Sequence, residues 1–500
     1  MKVLYCVSEV APIIKVGGLG DVAGSLPKAL ARLGVDIRII VPAYEEILTR
    51  INTNTNTKRH ESFKVEFAGR EEEVVLRETA LPQSEVPVYF LENKTYLSRD
   101  GHQAFAGTEK EVERFAFFSK AIAEFVPHTP GVYYDGSSPR GCVCSGFDLL
   151  HLNDWHTSLV PLLLPAPSQL TTHNPPVLLT IHNLSYQGIG SLGLLDKLGL
   201  KSDSCRVLKW DAQNRDIDIL MEGIIHATFV NTVSPTYAKE IMTPEFGCGI
   251  EEILKGKEGR VTGILNGIDC EVWNPGTDPL INFQFGSPLG VFNFQVGKQK
   301  NKRELQRLLG LKITDKTPLL AFIGRLEPKQ KGLDILYEAM EKLLPEENFQ
   351  FVLLGTGDPV WERQWGNETM KQWDNFRFIC RFDEKLAHQI YAGADMILLP
   401  SKFEPCGLPQ MIGMRYGTLP LVRKTGGLAD TVKDNVNGFM FEEHSGEALA
   451  DKIKEALEKC QMSNVKCQMI ENAMSRDFSW EASAQKYLEL YKRAMALHNR

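Results

Sequence analysis

The chain has 500 residues, of which 43% are hydrophobic and 24% charged, a composition typical of a globular protein that buries large cores. Its net charge of −7 argues against nucleic acid or an anionic membrane as a partner. The sequence contains no signal-type opening segment and no run of about 18 apolar residues, so we expect a cytoplasmic protein.

Apolar runs typical of buried strands alternate with helical stretches along most of the chain, which predicts parallel sheets covered on both faces. The first series of runs covers residues 2–7, 36–44, 86–93, 148–154, 176–183 and 227–234. The second series covers residues 318–325, 349–357, 376–380, 395–401 and 418–424. Two such series predict an α/β protein with two doubly wound, Rossmann-like domains.

The joint between the two predicted domains is expected in residues 273–293, which are rich in Pro, Gly and Asn and show little periodicity. We assign residues 1–268 to an N-terminal domain and residues 269–478 to a C-terminal domain. Residues 479–500 form a predicted amphipathic helix that packs back toward the N-terminal domain. Polar residues follow the strands in both series, so we expect a deep cleft between the domains that holds the active site.

The ten cysteines show no regular disulfide spacing, which suits a reducing compartment. Only Cys142 and Cys144 lie close together, and a single intervening residue is unusual for a zinc site. We expect two thiols in a loop here and no metal.

The segment KVGGLGDVAG (15–24) contains Gly18-x-Gly20-x-x-Ala23, which fits the dinucleotide-binding fingerprint. That fingerprint requires a tight turn between a strand and a helix. Residues 8–16, however, separate the strand at 2–7 from the helix predicted over 22–34. A nicotinamide or flavin cofactor is therefore the less favoured interpretation.

The segment SKFEPCGLPQMIGMRYG (401–417) follows a predicted strand and opens a predicted helix at Pro409, which suits a first helical turn. The backbone amides of Cys406, Gly407 and Leu408 are expected near the positive end of that helix, where a phosphate or a sugar hydroxyl can bind. A capped core helix without a ligand is the alternative.

The segment RLEPKQKG (325–332) places Arg325, Lys329 and Lys331 directly after a strand. Arginine can grip a phosphate with two hydrogen bonds, and lysine acts as a point charge. With Lys15 in the other domain, these cations would suit a diphosphate leaving group. A solvated basic loop is the alternative.

Seven segments, in this order, resemble the bacterial and plant glycogen/starch synthase family: KVGGLGDV, NDWHTSL, TIHNLSYQG, TVSPTYAKEI, LNGID, SKFEPCGLPQ and RKTGGLADTV. The likeness extends from Met1 to the FSW segment at 478–480. It implies a GT-B glycosyltransferase that transfers glucose from ADP-glucose to the non-reducing end of an α-1,4-glucan, with retention at the anomeric carbon. The first domain would lie on the acceptor side and the second on the donor side, and no cofactor is implied.

The resemblance also implies the catalytic residues. His156 of the DWH motif would hydrogen-bond a hydroxyl of the transferred glucose. Glu404 would hold hydroxyls of that glucose and stabilise its oxocarbenium-like transition state. Arg325 and Lys331 would hold the diphosphate.

Further substrate-binding residues are implied around these four. Lys15 and the glycines beside it would approach the sugar and phosphates of the donor. Asp21 would position the sugar or the acceptor, and Phe382 would stack on adenine. Residues of the loops after the strands of the second domain would line the donor pocket. The complete binding set is Lys15, Gly17, Gly18, Asp21, Phe382, Cys406, Gly407, Leu408, Thr425 and Gly427.

Three features depart from the family pattern. The spacing from Arg325 to the following lysine is one residue longer, Pro409 stands where a hydroxyl residue is frequent, and Met221 and Glu222 stand where a lysine and a small residue are common. For the lysine we choose Lys331, because it stands at the entrance to a helix whose amides favour an anion. The extra residue would then be absorbed in the bend at 327–329.

Other activities stay open at this point. A synthase that uses UDP-glucose, or one that forms a disaccharide, has the same architecture. A non-catalytic glucan-binding protein is disfavoured, because binding alone does not require cations that neutralise a diphosphate. A nicotinamide-dependent oxidoreductase is disfavoured by the long loop before the glycines.

Overall fold

The computed structural model describes residues 1–53, 57–98, 108–126, 146–164, 174–203, 206–285, 294–346 and 348–498. The internal contacts divide the chain into two units. The first domain comprises Met1–Val233, Ala238–Gly267 and Trp480–Arg500, and the second comprises Ser234–Tyr237 and Ile268–Ser479. Cys142, Cys144 and part of the predicted joint (286–293) lie outside the described residues.

The first domain is built around one large sheet and one small one. Its strands are β1 Lys2–Cys6, β2 Asp36–Pro42, β3 Lys58–Phe67, β4 Arg70–Ala80, β5 Pro87–Glu92, β6 Leu149–Asn153, β7 Val177–Ile181, β8 Ile189–Ser191, β9 Asp216–Asp218, β10 Phe229–Thr232 and β11 Val261–Gly263. The large sheet has the order β11-β10-β7-β6-β1-β2-β5-β4-β3, and β8 pairs with β9.

Helices connect these strands. In chain order they are α1 Gly18–Arg32, α2 Glu45–Thr53, α3 Glu109–Phe125, α4 Val160–Leu163, α5 Gly193–Leu198, α6 Arg206–Asp211, α7 Ile219–His226, α8 Pro235–Glu240 and α9 Glu251–Lys255. Within the described residues, no helix of the chain is long and apolar enough to cross a membrane.

The second domain contains a six-stranded sheet in which every strand pairing is parallel. Its strands are β12 Leu319–Ile323, β13 Gln350–Leu354, β14 Phe376–Ile379, β15 Met396–Leu399, β16 Leu419–Arg423 and β17 Phe439–Phe441, in the order β14-β13-β12-β15-β16-β17. Its helices are α10 Phe294–Leu308, α11 Leu333–Leu343, α12 Pro359–Trp365, α13 Glu368–Lys371, α14 Glu384–Gly393, α15 Pro409–Arg415, α16 Gly426–Thr431, α17 Gly446–Gln461 and α18 Ser463–Met474.

Each predicted apolar run contains a strand, and the polar residues at the end of each run lie in the loop that follows. The prediction of parallel pairing is wrong at one edge, where β4 is antiparallel to both β3 and β5. Residues 58–80 were not predicted as strands because they are rich in Lys, Arg and Glu. A largely solvent-exposed hairpin does not need a continuous apolar run.

The last helix, α19 (Trp480–His498), belongs to the first domain. It packs on α1, and two of its tyrosines reach buried polar groups of the sheet. The Tyr491 hydroxyl lies 2.7 Å from His151 Nδ1, and Asn231 Nδ2 donates to the Tyr487 hydroxyl over 3.0 Å. Pairing of buried polar atoms fixes the position of this helix on the sheet.

Among the parallel strands of each large sheet, the strand order reverses once. In the first domain β1 lies between β2 and β6, and in the second β12 lies between β13 and β15. Ligands of doubly wound sheets bind outside the carboxyl ends of the strands at such reversal points. The loops after β1, β6, β12 and β15 are therefore the expected position of a site.

Candidate active site

The loop after β1 folds back before α1 begins. Val10 and Ile14 exchange two backbone hydrogen bonds of 2.9 Å, and the Ala11 amide donates to the Gly20 carbonyl over 3.0 Å. This turn leaves Lys15 exposed, with its Nζ 2.7 Å from Asp21 Oδ1. Both predicted residues therefore lie together at the start of α1, on the solvent side of the loop.

The glycines that resemble a cofactor fingerprint surround a carboxylate of the protein itself. Glu9 is 2% exposed, and its carboxylate accepts hydrogen bonds from the amides of Val16 and Gly17. Burial raises the pKa of Glu9, and the hydrogen bonds that its carboxylate accepts from backbone amides oppose that rise. Glu9 was missed in the sequence because a lone acid in an apolar run gives no motif.

The loop after β6 holds His156 in a short 3-10 turn of Trp155–Thr157. Asp154 begins that turn with a φ of 54°, a conformation that non-glycine residues rarely adopt and that concentrates at functional sites. His156 is 6% exposed and is enclosed by Trp155, stacked at 4.4 Å, and by Phe115, edge-on at 4.5 Å between ring centroids. The structure thus fixes the orientation of the imidazole ring.

His156 is neutral at physiological pH. Burial, together with the nearby His182, lowers its pKa to about 3. A neutral imidazole has one donor and one acceptor nitrogen, which suits a hydrogen bond with a sugar hydroxyl. The ring is therefore unsuited to act as a cation toward phosphate.

Residues after β7 support this region. His182 Nε2 lies 2.9 Å from Asn153 Oδ1, and the His182 amide donates to Asp154 Oδ1 over 2.7 Å. Burial lowers the pKa of His182 to about 3 and raises the pKa of Asp154 to about 7, although two backbone amides oppose the latter rise. No pattern in the sequence assigned Asn153 or Asp154 this supporting role.

In the second domain Glu404 is the centre of a buried polar cluster. It is 5% exposed, and its Oε2 lies 2.7 Å from Lys331 Nζ. Ser401 Oγ donates to the same oxygen over 2.9 Å, and Gln330 Nε2 donates to Oε1 over 3.3 Å. Two of the predicted catalytic residues, from the loops after β12 and β15, thus meet at the strand reversal.

The bend after Arg325 places the two candidate lysines in different surroundings. The Lys331 amide donates to the Glu327 carbonyl over 3.0 Å, which closes a five-residue turn. Lys329 is exposed, whereas Lys331 is partly buried next to Gly332, whose φ of 63° begins α11. A Cβ at Gly332 would lie 2.1 Å from the Pro400 carbonyl oxygen, so the two loops approach as closely as backbone allows.

The segment that follows Glu404 adopts the predicted helix start. Pro409 is the first residue of α15, and Gly407 has a φ of 75°. A Cβ at Gly427 would lie 2.1 Å from the Cys406 carbonyl oxygen. The structure therefore brings the loops that carry Cys406, Gly407, Leu408, Thr425 and Gly427 together.

Gln410 was missed in the sequence, although it organises this turn. Its Nε2 donates to the carbonyls of Cys406 over 3.0 Å and Gly407 over 2.8 Å. A glutamine inside a predicted helix gives no signal that it folds back on the preceding loop.

Arg325 and Phe382 are the two predicted residues of this domain that remain exposed. The Arg325 guanidinium makes no hydrogen bond to the residues that the structure describes. Phe382 is 84% exposed in the loop after β14, where an apolar ring of this size is unusual without a ligand or partner. Both side chains are accessible to a ligand.

Met221 and Glu222, which depart from the family pattern, lie inside the first domain. Both residues are buried in the first turn of α7, where Glu222 Oε2 lies 3.5 Å from His226 Nε2. The neighbouring Gly223 packs against Ser158, two residues after His156. Positions 221 and 222 therefore supply no cationic side chain to this part of the first domain.

In the described parts of the chain, no group of three or more His, Cys, Asp or Glu side chains is placed to hold a metal ion.

Comparison with known proteins identifies relatives along the whole chain. The family described as Starch synthase catalytic domain matches residues 2–256, and that described as Glycosyl transferases group 1 matches residues 310–476. The glycogen synthases of Kosmotoga olearia and Lactococcus lactis are 39% and 40% identical to this chain, over 99% and 98% of its length and 98% and 100% of theirs. The solved catalytic domain of starch synthase IV from Arabidopsis thaliana, bound to ADP and acarbose, is 33% identical with a TM-score of 0.82, and the match covers 99% of both chains.

The chain forms two Rossmann-like domains, each with polar residues at its strand reversal. Together with these matches, this architecture defines a GT-B glycosyltransferase that acts as a hexosyltransferase. The chain belongs to the glycogen/starch synthase family.

Proposed function

We propose that this enzyme transfers glucose from ADP-glucose to the non-reducing end of an α-1,4-glucan with retention of configuration. The observation that carries the proposal is the contact of Lys331 with Glu404 at the strand reversal of the second domain, supported by Gln330 and Ser401. A buried carboxylate and a cation 2.7 Å apart can act on the two charges that develop when a glycosyl phosphate bond breaks.

In this proposal the two charges of the transition state are stabilised separately. The bond between the anomeric carbon and the phosphate oxygen breaks as the acceptor hydroxyl oxygen bonds to that carbon, and the proton of that hydroxyl passes to the departing diphosphate. Glu404 stabilises the positive charge of the sugar, and Lys331 and Arg325 stabilise the negative charge on the departing diphosphate. Arg325 is exposed and free of intramolecular hydrogen bonds to the described residues, so its guanidinium can bind phosphate oxygens.

The residues of the first domain would bind the glucose and approach the phosphates of the donor. His156, held neutral by burial, hydrogen-bonds a glucose hydroxyl, and Lys15 with Gly17 and Gly18 approaches the donor. Asp21, paired with Lys15, positions the sugar or the acceptor.

Adenine recognition is assigned to the second domain. Phe382 would stack on the base, and the loops that carry Cys406, Gly407, Leu408, Thr425 and Gly427 would line the donor pocket. The solved relative from Arabidopsis thaliana is bound to ADP, which supports an adenine nucleotide as the leaving group. The cytoplasmic location stays a prediction.

The experiment compares radiolabelled ADP-glucose with UDP-glucose, each with and without glycogen, and counts label in polymer. We expect incorporation that needs both ADP-glucose and glycogen. Preferred use of UDP-glucose would contradict the donor, and a labelled disaccharide in place of polymer would contradict the acceptor.

A further inference from the structure

The carboxylate of Glu9 occupies the backbone amides at the start of α1. Oε2 of Glu9 lies 2.9 Å from the Gly17 amide nitrogen, and the Val16 amide donates to the same oxygen. Amides before the first turn of a helix attract anions, and hydrogen bonds to an ionised acceptor are about twice as strong as neutral ones. Glu9 therefore sits where a bound anion is expected in a cofactor loop.

The glycines of the loop make room for this carboxylate. A Cβ at Gly20 would lie 3.0 Å from Glu9 Oε2, and a Cβ at Gly17 would lie 3.4 Å from Oε1. By contrast, a Cβ at Gly18 would meet nothing within 4 Å. Gly20 in particular is needed for the approach of Glu9, which explains a cofactor-like pattern without a cofactor.

The same carboxylate determines the position of Lys15. The loop residues Val16 and Gly17 follow Lys15 directly, and a Cβ at Gly20 would lie 3.3 Å from Lys15 Cγ. Lys15 Nζ then reaches Asp21 at 2.7 Å. Removal of Glu9 would free two amides and release the backbone on which the lysine stands.

We propose that Glu9 is a positioning residue: its carboxylate fills the amide site at the start of α1, keeps external anions out of that site, and fixes the loop that carries Lys15. The link to catalysis rests on the role proposed for Lys15, whereas the filling of the amide site does not. These two parts are therefore tested by different measurements.

The test uses the full-length Glu9→Ala variant with sodium formate as the probe, and sodium chloride at equal ionic strength as the reference. Formate is a carboxylate small enough for the space that the side chain leaves. We expect the Tm of Glu9→Ala to rise by about 2–4 °C more in formate than that of the wild type, because the anion binds the folded state. Glu92→Ala, which removes an acid paired with Arg77 in the same domain, is the matched control and should show no such rise.

Activity gives the second readout. Glu9→Ala should lose about 10²-fold in kcat, since a small displacement of a substrate-positioning group has an effect of this size. Formate should raise the kcat of Glu9→Ala at least about fivefold and leave the kcat of the wild type and of Glu92→Ala unchanged. A purely structural role would lower activity without rescue by the anion.

Each outcome decides the proposal. An equal Tm response to formate in Glu9→Ala and the wild type overturns the filled amide site, whatever the enzyme's substrate. A formate response in Tm together with wild-type kcat overturns the positioning role alone. Should Glu9→Ala not fold, Glu9→Gln takes its place. With its oxygen in the position of Oε2, its NH₂ group faces the Gly17 amide, which donates to Oε1 over 3.2 Å in the wild type, and the negative charge is lost. The kcat of Glu9→Gln should therefore fall about tenfold, and wild-type kcat would refute the proposal. Absence of glucosyl transfer by the wild type would instead reject the proposed function.

Discussion

The two strand reversals of this molecule bury different kinds of side chain. At the reversal of the first domain, His156 and His182 are buried and neutral, whereas the ion pair of Lys15 with Asp21 lies at the surface. At the reversal of the second domain, Lys331 and Glu404 form a 2.7 Å ion pair in a buried polar cluster, and Arg325 is exposed. The same fold has thus produced one site whose buried groups suit neutral hydroxyls and another whose buried groups suit separated charge.

The strongest test of this contrast is Glu404→Ala. The variant should fold and lose about 10²–10³ in kcat, because one well-aimed contact to a charged transition state contributes about 3–4 kcal/mol. Steady-state kinetics with ADP-glucose and saturating glycogen measures the loss. Glu442→Ala, an exposed carboxylate paired with Lys424, is the control with unchanged rates. Wild-type kcat in Glu404→Ala would show that Glu404 is not a catalytic residue.

The choice of lysine comes next. Lys331→Ala and Arg325→Ala should each lower kcat by about 10²–10³, since both act on charge that develops on the diphosphate. Lys329→Ala should change rates by less than about threefold, as expected of a screened surface charge. The three variants are compared at saturating glycogen. If Lys329→Ala is the more damaging lysine variant, the extra residue lies elsewhere in the bend.

The neutral side of the comparison is tested with His156. His156→Ala should lower kcat by about 10²-fold through loss of a fixed hydrogen bond to the substrate. Because the pKa of His156 is about 3, its protonation should leave no inflection in the pH–rate profile between about 5 and 8. An inflection near pH 6.5 that disappears in His156→Ala would show that the ring titrates and would contradict the contrast.

Asp154 gives a test through stability. Its folded-state pKa of about 7 lies above the unfolded value of about 3.9, so the folded protein keeps a proton that the unfolded chain loses. Stability should therefore fall as pH rises from about 4 to about 7. Asp154→Asn removes this term, and its Tm relative to wild type should rise by roughly 3–8 °C across that range. A constant difference in Tm would contradict the raised pKa.

The smallest expected effect concerns Phe382. Phe382→Ala should raise the KM for ADP-glucose by about two- to tenfold with little change in kcat, because loss of a stacking ring weakens substrate and transition state alike. Leu308→Ala, which removes another exposed apolar side chain of the same domain, is the control. An unchanged KM for ADP-glucose would contradict stacking of Phe382 on the adenine.

The strands that carry the site could be predicted from sequence because each is a continuous apolar run, as in Leu319–Ile323 and Met396–Leu399. The contact of Lys331 with Glu404 could be predicted only in part. The sequence indicated both residues, but their contact depends on the pairing of β12 with β15. Glu9 and Gln410 could not be found, because each bonds to backbone groups and no side-chain pattern marks such a partner. The β3–β4 hairpin was not predicted from the sequence because its charged residues face solvent.

The position of α19 bears on how the chain is made. Its residues leave the ribosome after those of the second domain, yet Tyr487 and Tyr491 are the partners of Asn231 and His151 inside the first domain. Until α19 has emerged, those buried groups in β6 and β10 lack these tyrosines, and the apolar face that α19 covers is open. The first domain is therefore completed only after all of the second domain has been synthesised. A nascent chain released before residue 480 would carry an incomplete first domain and present a target for chaperones and proteases.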